Sequence, residues 1–416
     1  MAKDTVDGPG IRLPWAGKTV RIENVEEELS FLWKMSADNL RTGQNVNVRT
    51  SVLNFVICAP DIESAQHASK VLRDLSSTHL ARVTLLILDS SSNAPASIST
   101  WVTLRCFSIF SDLMRHCFEQ TTILTIGAAV RSVANIIQPL LKPDLPVYLW
   151  WIGDPPDNDT IFNSLVELSN RVIVDSTSFF NPEQDIQTLA ELFQASPNSA
   201  LSDLNWGRLT PWRQLVVQFF DVAEYRPYLA GITSIEIEHA AAPLAMPIRT
   251  EEGDVSPNPT RALLLAGWLK GRLGWTLTPD AYCNRDTASG TYQWQLERPT
   301  ISHSSTRGKT GRLGSARDGI ISIRPKVQSE LRPGSICLVR LTSTIENKQA
   351  TFTISREDAL DTVLTSVEMS QETRPQRTVS LASVYNESEL LHDELEITGH
   401  DYPFEQTLLE VAELLG

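Results

Sequence analysis

The 416-residue chain has no run of about 18 apolar residues, which excludes a helical membrane span. Its first ten residues, MAKDTVDGPG, lack a basic segment followed by an apolar one. A secretory leader is therefore not expected, and the cytoplasm is the expected compartment. Cysteine is sparse, odd in number and scattered (Cys58, Cys106, Cys117, Cys283, Cys337), with no C-x-x-C pair. That spacing argues against a disulfide scaffold and against a structural zinc site. Cys58 lies in the apolar run VLNFVIC and reads as core. Cys106 and Cys117 fall on a stretch expected to be helical or turn-rich and read as inert thiols, with a redox pair as the alternative.

Catalytic signatures are missing as well. None of the seven histidines forms H-E-x-x-H or an i, i+4 pair, so no metal ligation is expected. A G-x-S-x-G elbow is absent, and so is the G-x-G-x-x-G of dinucleotide sites. GKT at 308–310 resembles the end of a phosphate loop, yet His303 stands where that loop needs glycine. No catalytic residue, metal or cofactor is expected, and a chain of this length without a site reads most simply as a binding protein.

What is present is acid. The net charge is −14, which repels phosphate backbones and anionic lipid; nucleic acid and membranes are not expected as partners. The charge is uneven. Residues 357–416 carry fourteen acids against Arg374 and Arg377, whereas residues 298–332 carry eight Lys/Arg against Asp318 and Glu330. These read as a solvated acidic region and a mobile basic loop, or as two docking surfaces of opposite sign.

The apolar pattern places the rest. Residues 1–45 form a loose arm followed by an amphipathic helix, ENVEEELSFLWKM, with Val25, Leu29, Leu32 and Trp33 at helical spacing. Over 46–200, continuous apolar runs (SVLNFVICA, ARVTLLILD, TTILTIGA, LPVYLWW, NRVIVDS) alternate with helical stretches. Runs without alternation mark strands covered on both faces, so this is read as an open, mostly parallel, doubly wound α/β domain. Residues 201–416 are read as an α+β domain with antiparallel strands, among them ITSIEIEH, GIISIRPK and SICLVRLTST. A single helix is expected over 209–229, capped by Thr210, with Pro211 at its first position and Pro227 closing it.

Two groups of residues stand out as site candidates. Trp151, Gly153 and Asp154 follow a strand end, where open sheets place their ligand crevice; Asp157 and Asp159 follow closely, and the segment otherwise reads as a Pro-rich acidic turn. Trp150 and Trp151 must point to opposite faces of their strand. Trp206, Arg208, Trp212 and Arg213 combine the two residue types most enriched at interface hot spots. Together with Arg307, Lys309, Arg312 and Arg317 of the basic loop they are the candidate partner contacts. Core packing is the competing reading for each tryptophan.

LPVYLWWIGDPP (145–156), RVIVDSTSF (171–179), DLNWGRLTPWRQLVVQFFD (203–221) and RALLLAGWLKGRLGW (261–275), with VEEELSFLWK and RTSVLNFVI nearer the N-terminus, resemble signature segments of the OpcA family over roughly residues 20 to 345. The resemblance implies a non-catalytic protein that assembles with, or allosterically activates, a glucose-6-phosphate dehydrogenase oligomer. The setting it implies is the oxidative pentose phosphate pathway of cyanobacteria or actinobacteria, where redox regulation acts. It supplies no catalytic motif. The chain departs from the family pattern after about residue 345, and its last cysteine is Cys337, so a thiol pair near the C-terminus is absent. Alternative expectations are a sugar-phosphate-binding protein or enzyme using the crevice at 153–159, or a passive scaffold for the dehydrogenase.

Overall fold

A computed structural model describes residues 17–40, 46–49, 51–75, 81–90, 94–109, 111–157, 159–241, 258–278, 283–286, 290–299, 318–328, 330–356, 362–369, 372–373, 376–381 and 386–416. The elements of the N-terminal half are β1 (Lys18–Val20), α1 (Val25–Leu40), β2 (Val46–Arg49), β3 (Leu53–Ala59), α2 (Ile62–Leu75), β4 (Ala81–Asp89), β5 (Ser97–Ile109), β6 (Ser111–Ile126), α3 (Val133–Ile137), β7 (Val147–Trp151), α4 (Thr160–Glu167), β8 (Arg171–Val174), α5 (Pro182–Ala195) and β9 (Ala200–Asp203). The remainder comprises α6 (Leu204–Arg208), α7 (Thr210–Asp221), α8 (Arg226–Leu229), β10 (Ile232–Ala241), α9 (Thr260–Leu273), β11 (Cys283–Asp286), β12 (Thr291–Glu297), β13 (Asp318–Val327), β14 (Ile336–Ile345), β15 (Lys348–Arg356), β16 (Thr362–Met369), β17 (Glu372–Thr373), β18 (Arg377–Ser380), α10 (Glu387–Glu396) and α11 (Tyr402–Leu415).

The first sheet has a parallel core in the spatial order β6-β4-β3-β7-β8-β9. Numbered along the chain, those six strands run 3-2-1-4-5-6, the doubly wound order of dinucleotide-binding folds. β3 is buried at every position, because helices cover both faces. Trp150 and Trp151 do diverge: Trp150 stacks parallel to Phe55 in the core beneath α2, while Trp151 meets Phe162 edge-on across the sheet.

Beyond β6 the sheet continues into antiparallel β5 and β1. The long β5–β6 hairpin overturns the helical or turn-rich reading of that stretch. Its register sets Cys106 directly opposite Cys117, and the two form a disulfide. The pair is therefore bonded, not two inert thiols; Cys58, Cys283 and Cys337 remain free.

The second sheet is ordered β11-β12-β13-β10-β14-β15-β16-β17, antiparallel except for the β10–β13 pair. Alternate residues of β10 and β12 are buried on the face that carries the helices. The expected single helix over 209–229 is two. α7 ends at Asp221, where Val222 turns extended, and α8 starts at Arg226; Thr210 is the first residue of α7 and caps nothing.

The acidic C-terminal region returns to the body of the molecule. α10 packs on α2, and α11 lies between α5 and α9. At the crossing of α9 and α11, Gly267 permits an approach so close that a β-carbon there would sit 2.4 Å from Val411 Cγ2. Buried Lys270 pairs with Glu410 and with Glu413, the latter at 2.7 Å. A solvated acidic tail is thus not what the described part of this region forms: Phe404, Leu408 and Val411 belong to the core shared by the two sheets, and Leu391 to the core beneath α2.

Candidate functional site

In a doubly wound sheet the ligand crevice opens at the carboxyl ends of the strands, where strand order reverses. Here that point lies between β3 and β7. The turn after β3 reads Ala59-Pro60-Asp61. Proline offers no amide to a phosphate. The Asp61 carboxylate accepts the Ser64 amide at 2.7 Å, taking the helix-end donor that a phosphate would use. β4 ends on Asp89, at the strand end where such folds keep a ribose-binding carboxylate, but without the phosphate cradle it specifies no nucleotide. The residues present do not fit a dinucleotide.

Trp151, Gly153 and Asp154, the expected crevice residues, lie at and just after the end of β7. Gly153 adopts a φ of 97°, a conformation that favours glycine. Trp151 Nε1 donates to the Asp154 carbonyl at 2.9 Å, and the Asp154 carboxylate accepts the Phe180 amide at 2.9 Å. Burial raises the Asp154 carboxyl above its ordinary range. Asp185 is pushed up to about 7 by burial and then by Asp154. Asp185 thus resists ionising beside Asp154. Asp159 is consumed as the cap of α4, and among the described residues no group of acids, cysteines and histidines could hold a metal ion.

The tryptophan and arginine candidates are placed differently from what a docking surface needs. Trp206 and Trp212 are each 3% exposed. Trp206 packs on Phe404, donates to Asp401 at 3.1 Å and lies beneath the Arg213 guanidinium at 3.5 Å. Arg208 forms a two-pronged bond to Asp175 at 2.7 and 2.8 Å. The Trp206 indole is covered once α11 returns against it. Arg307, Lys309, Arg312 and Arg317 lie outside the described residues.

Adjacent to the crevice is a polar network that sequence reading did not assemble. Asp175 follows β8 and Asp203 ends β9. Asp203 accepts the Ser176 amide and hydroxyl and the Asn205 amide. Complete burial, then Asp175, pushes its carboxyl up to about 6. Asn205 donates to the Ser176 hydroxyl and accepts from Arg261 Nε at 2.8 Å. Asn258 donates to the carbonyls of Ser176, Thr177 and Phe179 and accepts the Thr260 amide, fastening the start of α9 to the strand ends of the first sheet. The one local signal available was an aspartate closing each of two apolar strands.

Comparison with known proteins now bears on these observations. Residues 72–191 match the N-terminal domain, and residues 199–408 the C-terminal domain, of the OpcA family, which is described as a glucose-6-phosphate dehydrogenase subunit. The chain belongs to the OpcA family. Among curated relatives, the OxPP cycle protein OpcA of Synechocystis sp. is 34% identical over 166 residues, covering 40% of this chain and 31% of the relative. That of Nostoc punctiforme is 36% identical over 159 residues, covering 38% and 30%. The chain thus spans about a third of the length of these relatives. Among solved structures, levoglucosan dehydrogenase in complex with NADH and L-sorbose superposes with a TM-score of 0.48 at 10% identity, over 88% of this chain and 96% of that one. A likeness that weak carries no functional weight for this OpcA-family chain. The structure has no helix long and apolar enough to cross a membrane among the described residues.

Proposed function

We propose that the chain is a non-catalytic partner of a glucose-6-phosphate dehydrogenase oligomer, acting in the cytoplasm to favour the active state of that enzyme. The observation that carries this reading is the pairing of family membership across both halves of the chain with a switch-point turn, Pro60-Asp61, that opposes a pyrophosphate. A doubly wound scaffold without the nucleotide cradle is suited to binding rather than to hydride transfer. Such a partner activates only by holding the active conformation more tightly than the inactive one; a thousandfold shift needs roughly 4 kcal/mol of differential affinity.

Within this reading the basic loop, with Arg307, Lys309, Arg312 and Arg317, is the contact to test first. Trp206 and Trp212 serve the interior, and Arg208 and Arg213 are held by Asp175 and Trp206. Reversing the four loop charges should slow association at low salt and leave the fold intact. Unchanged association kinetics would remove the loop from the interface. A passive scaffold would alter the dehydrogenase's assembly and leave the kinetics of the assembled enzyme as they were, which steady-state kinetics of the dehydrogenase titrated with this chain resolve.

A further inference from the structure

Among the described residues, the helices packed on the second sheet (α7, α8 and α9) lie against the side bearing Ile235, Ile237, Val339, Leu341 and Phe352. The opposite face is left open, and strand register fixes which side chains share it. Its central row reads Gln293, Ser322, Glu236, Arg340, Thr353 and Ser366 across β12, β13, β10, β14, β15 and β16. In the flanking rows Ser234 aligns with Thr342 and Thr351, and Leu338 with Ser355 and Leu364. From β14 to β16 the only charges in these three rows are Arg340 and Glu368, which lies opposite Thr351. Depletion of charge at the centre of an uncovered surface is the compositional mark of an interface core. The area is sufficient as well. Six strands of seven to ten residues at about 4.8 Å spacing offer on the order of 700 Å², close to the roughly 800 Å² per partner of a standard stable interface.

Charge then selects the occupant. Glu236 lies between Arg340 at 2.7 Å and Arg324 at 3.5 Å, so acid and base stand side by side on neighbouring strands β10 and β14. A two-fold axis lying in the face, along the line between those strands, exchanges them. Glu236 of one copy then faces Arg340 of the other, and the contact occurs twice because an isologous interface repeats every contact. The same rotation lays Ser322 over Thr353 and Gln293 over Ser366, polar on polar without like charges meeting. Glu238 and Lys326 pair with each other at 3.7 Å toward the carboxyl end of β10 and form part of the rim. We propose that the open face of the second sheet is a homodimer interface, on which a second copy of this chain packs face to face about that axis. The two Glu236–Arg340 pairs form a closed ring of alternating charge at its centre, with the threonine and serine field on either side. This inference does not rest on the dehydrogenase partnership.

The test uses the full chain alone. Its mass is followed by sedimentation equilibrium over a range of concentrations, for the wild type and three variants, with circular dichroism and melting temperature confirming that each folds. Thr353→Arg puts a long cation into the uncharged field and should leave the monomer's fold intact. Arg340→Glu sets like charges against each other within and between copies. Combining it with Glu236→Arg restores opposite charge in both places. The expected result is a wild-type dimer, a dissociation constant raised about tenfold or more by Thr353→Arg and by Arg340→Glu, and recovery of the dimer in the Glu236→Arg, Arg340→Glu double variant. A wild-type chain that stays monomeric at every concentration overturns the proposal, and so does a dimer that Thr353→Arg leaves unchanged. Co-elution with the dehydrogenase is measured separately on the same variants. Loss of co-elution in Thr353→Arg with an unaltered homodimer would assign the face to the dehydrogenase instead; a failed homodimer with intact co-elution leaves the partner function standing.

Discussion

Replacing Trp206 by alanine removes a side chain that does three things at once. It fills the space between α6 and the start of α11 against Phe404, donates to Asp401, and offers its ring to Arg213. Large-to-small substitution of a buried Trp costs about 3–5 kcal/mol. A desolvated cation over an aromatic ring adds about 2 kcal/mol or less. Arg213 Nε is already buried without a hydrogen bond, so losing the ring leaves that cation worse placed. Trp206→Ala should therefore destabilise the chain by roughly 4–6 kcal/mol, at the upper end of core substitutions. Trp206→Phe keeps most of the packing and loses the bond to a carboxylate, about 1–3 kcal/mol. Urea denaturation followed by circular dichroism gives both numbers. Dehydrogenase association of the still-folded Trp206→Phe should match wild type. A Trp206→Ala variant as stable as wild type but unable to bind the dehydrogenase would refute the reasoning and return Trp206 to the interface.

Other consequences are open to direct measurement. Gly267→Ala forces a β-carbon against Val411 and should cost about 1–3 kcal/mol through overpacking of α9 on α11; a neutral effect would mean the helices can slide apart freely. Glu394 is buried, and burial outweighs Arg171 at 3.7 Å to push its carboxyl up to about 7. The folded chain thus holds a proton that the unfolded chain releases near its ordinary value, so this group's contribution to stability falls as pH rises from about 5 to about 7.5. Glu394→Gln should flatten that slope, and an unaltered pH profile would remove the group from the account. Denatured without reductant, the chain should titrate three thiols, and five after reduction, because Cys106 and Cys117 are bonded; five thiols throughout would show that the pair is open.

The parallel core was legible because covered strands need continuous apolar runs, and β3, β4, β7 and β8 carry FVICA, LLIL, VYLWW and VIV. The β5–β6 hairpin was not: polar residues break its strands into short runs, so the regularity that joins Cys106 to Cys117 lies in cross-strand register and not in local pattern. Trp206 and Trp212 misled for a related reason. Tryptophan beside arginine looks alike at an interface and in a core, and for Trp206 only the return of the chain 195 residues later, at Asp401, decides between them. The end of α7 was overrun because Val222 breaks the helix by its backbone angles, with no glycine or proline at that point. The polar network of Asp175, Asp203, Asn205 and Arg261 draws on three separate segments, each ordinary when read alone.

The central claim, that this OpcA-family chain activates a dehydrogenase without itself catalysing, is tested most directly by titrating the cognate glucose-6-phosphate dehydrogenase with the purified chain under reducing conditions. Steady-state kinetics and size-exclusion chromatography are read together. The account predicts a saturable fall in KM or rise in kcat, co-elution of the two proteins, and no turnover by the chain alone. Absence of both co-elution and any kinetic change, or glucose 6-phosphate oxidation by the chain on its own, would contradict it.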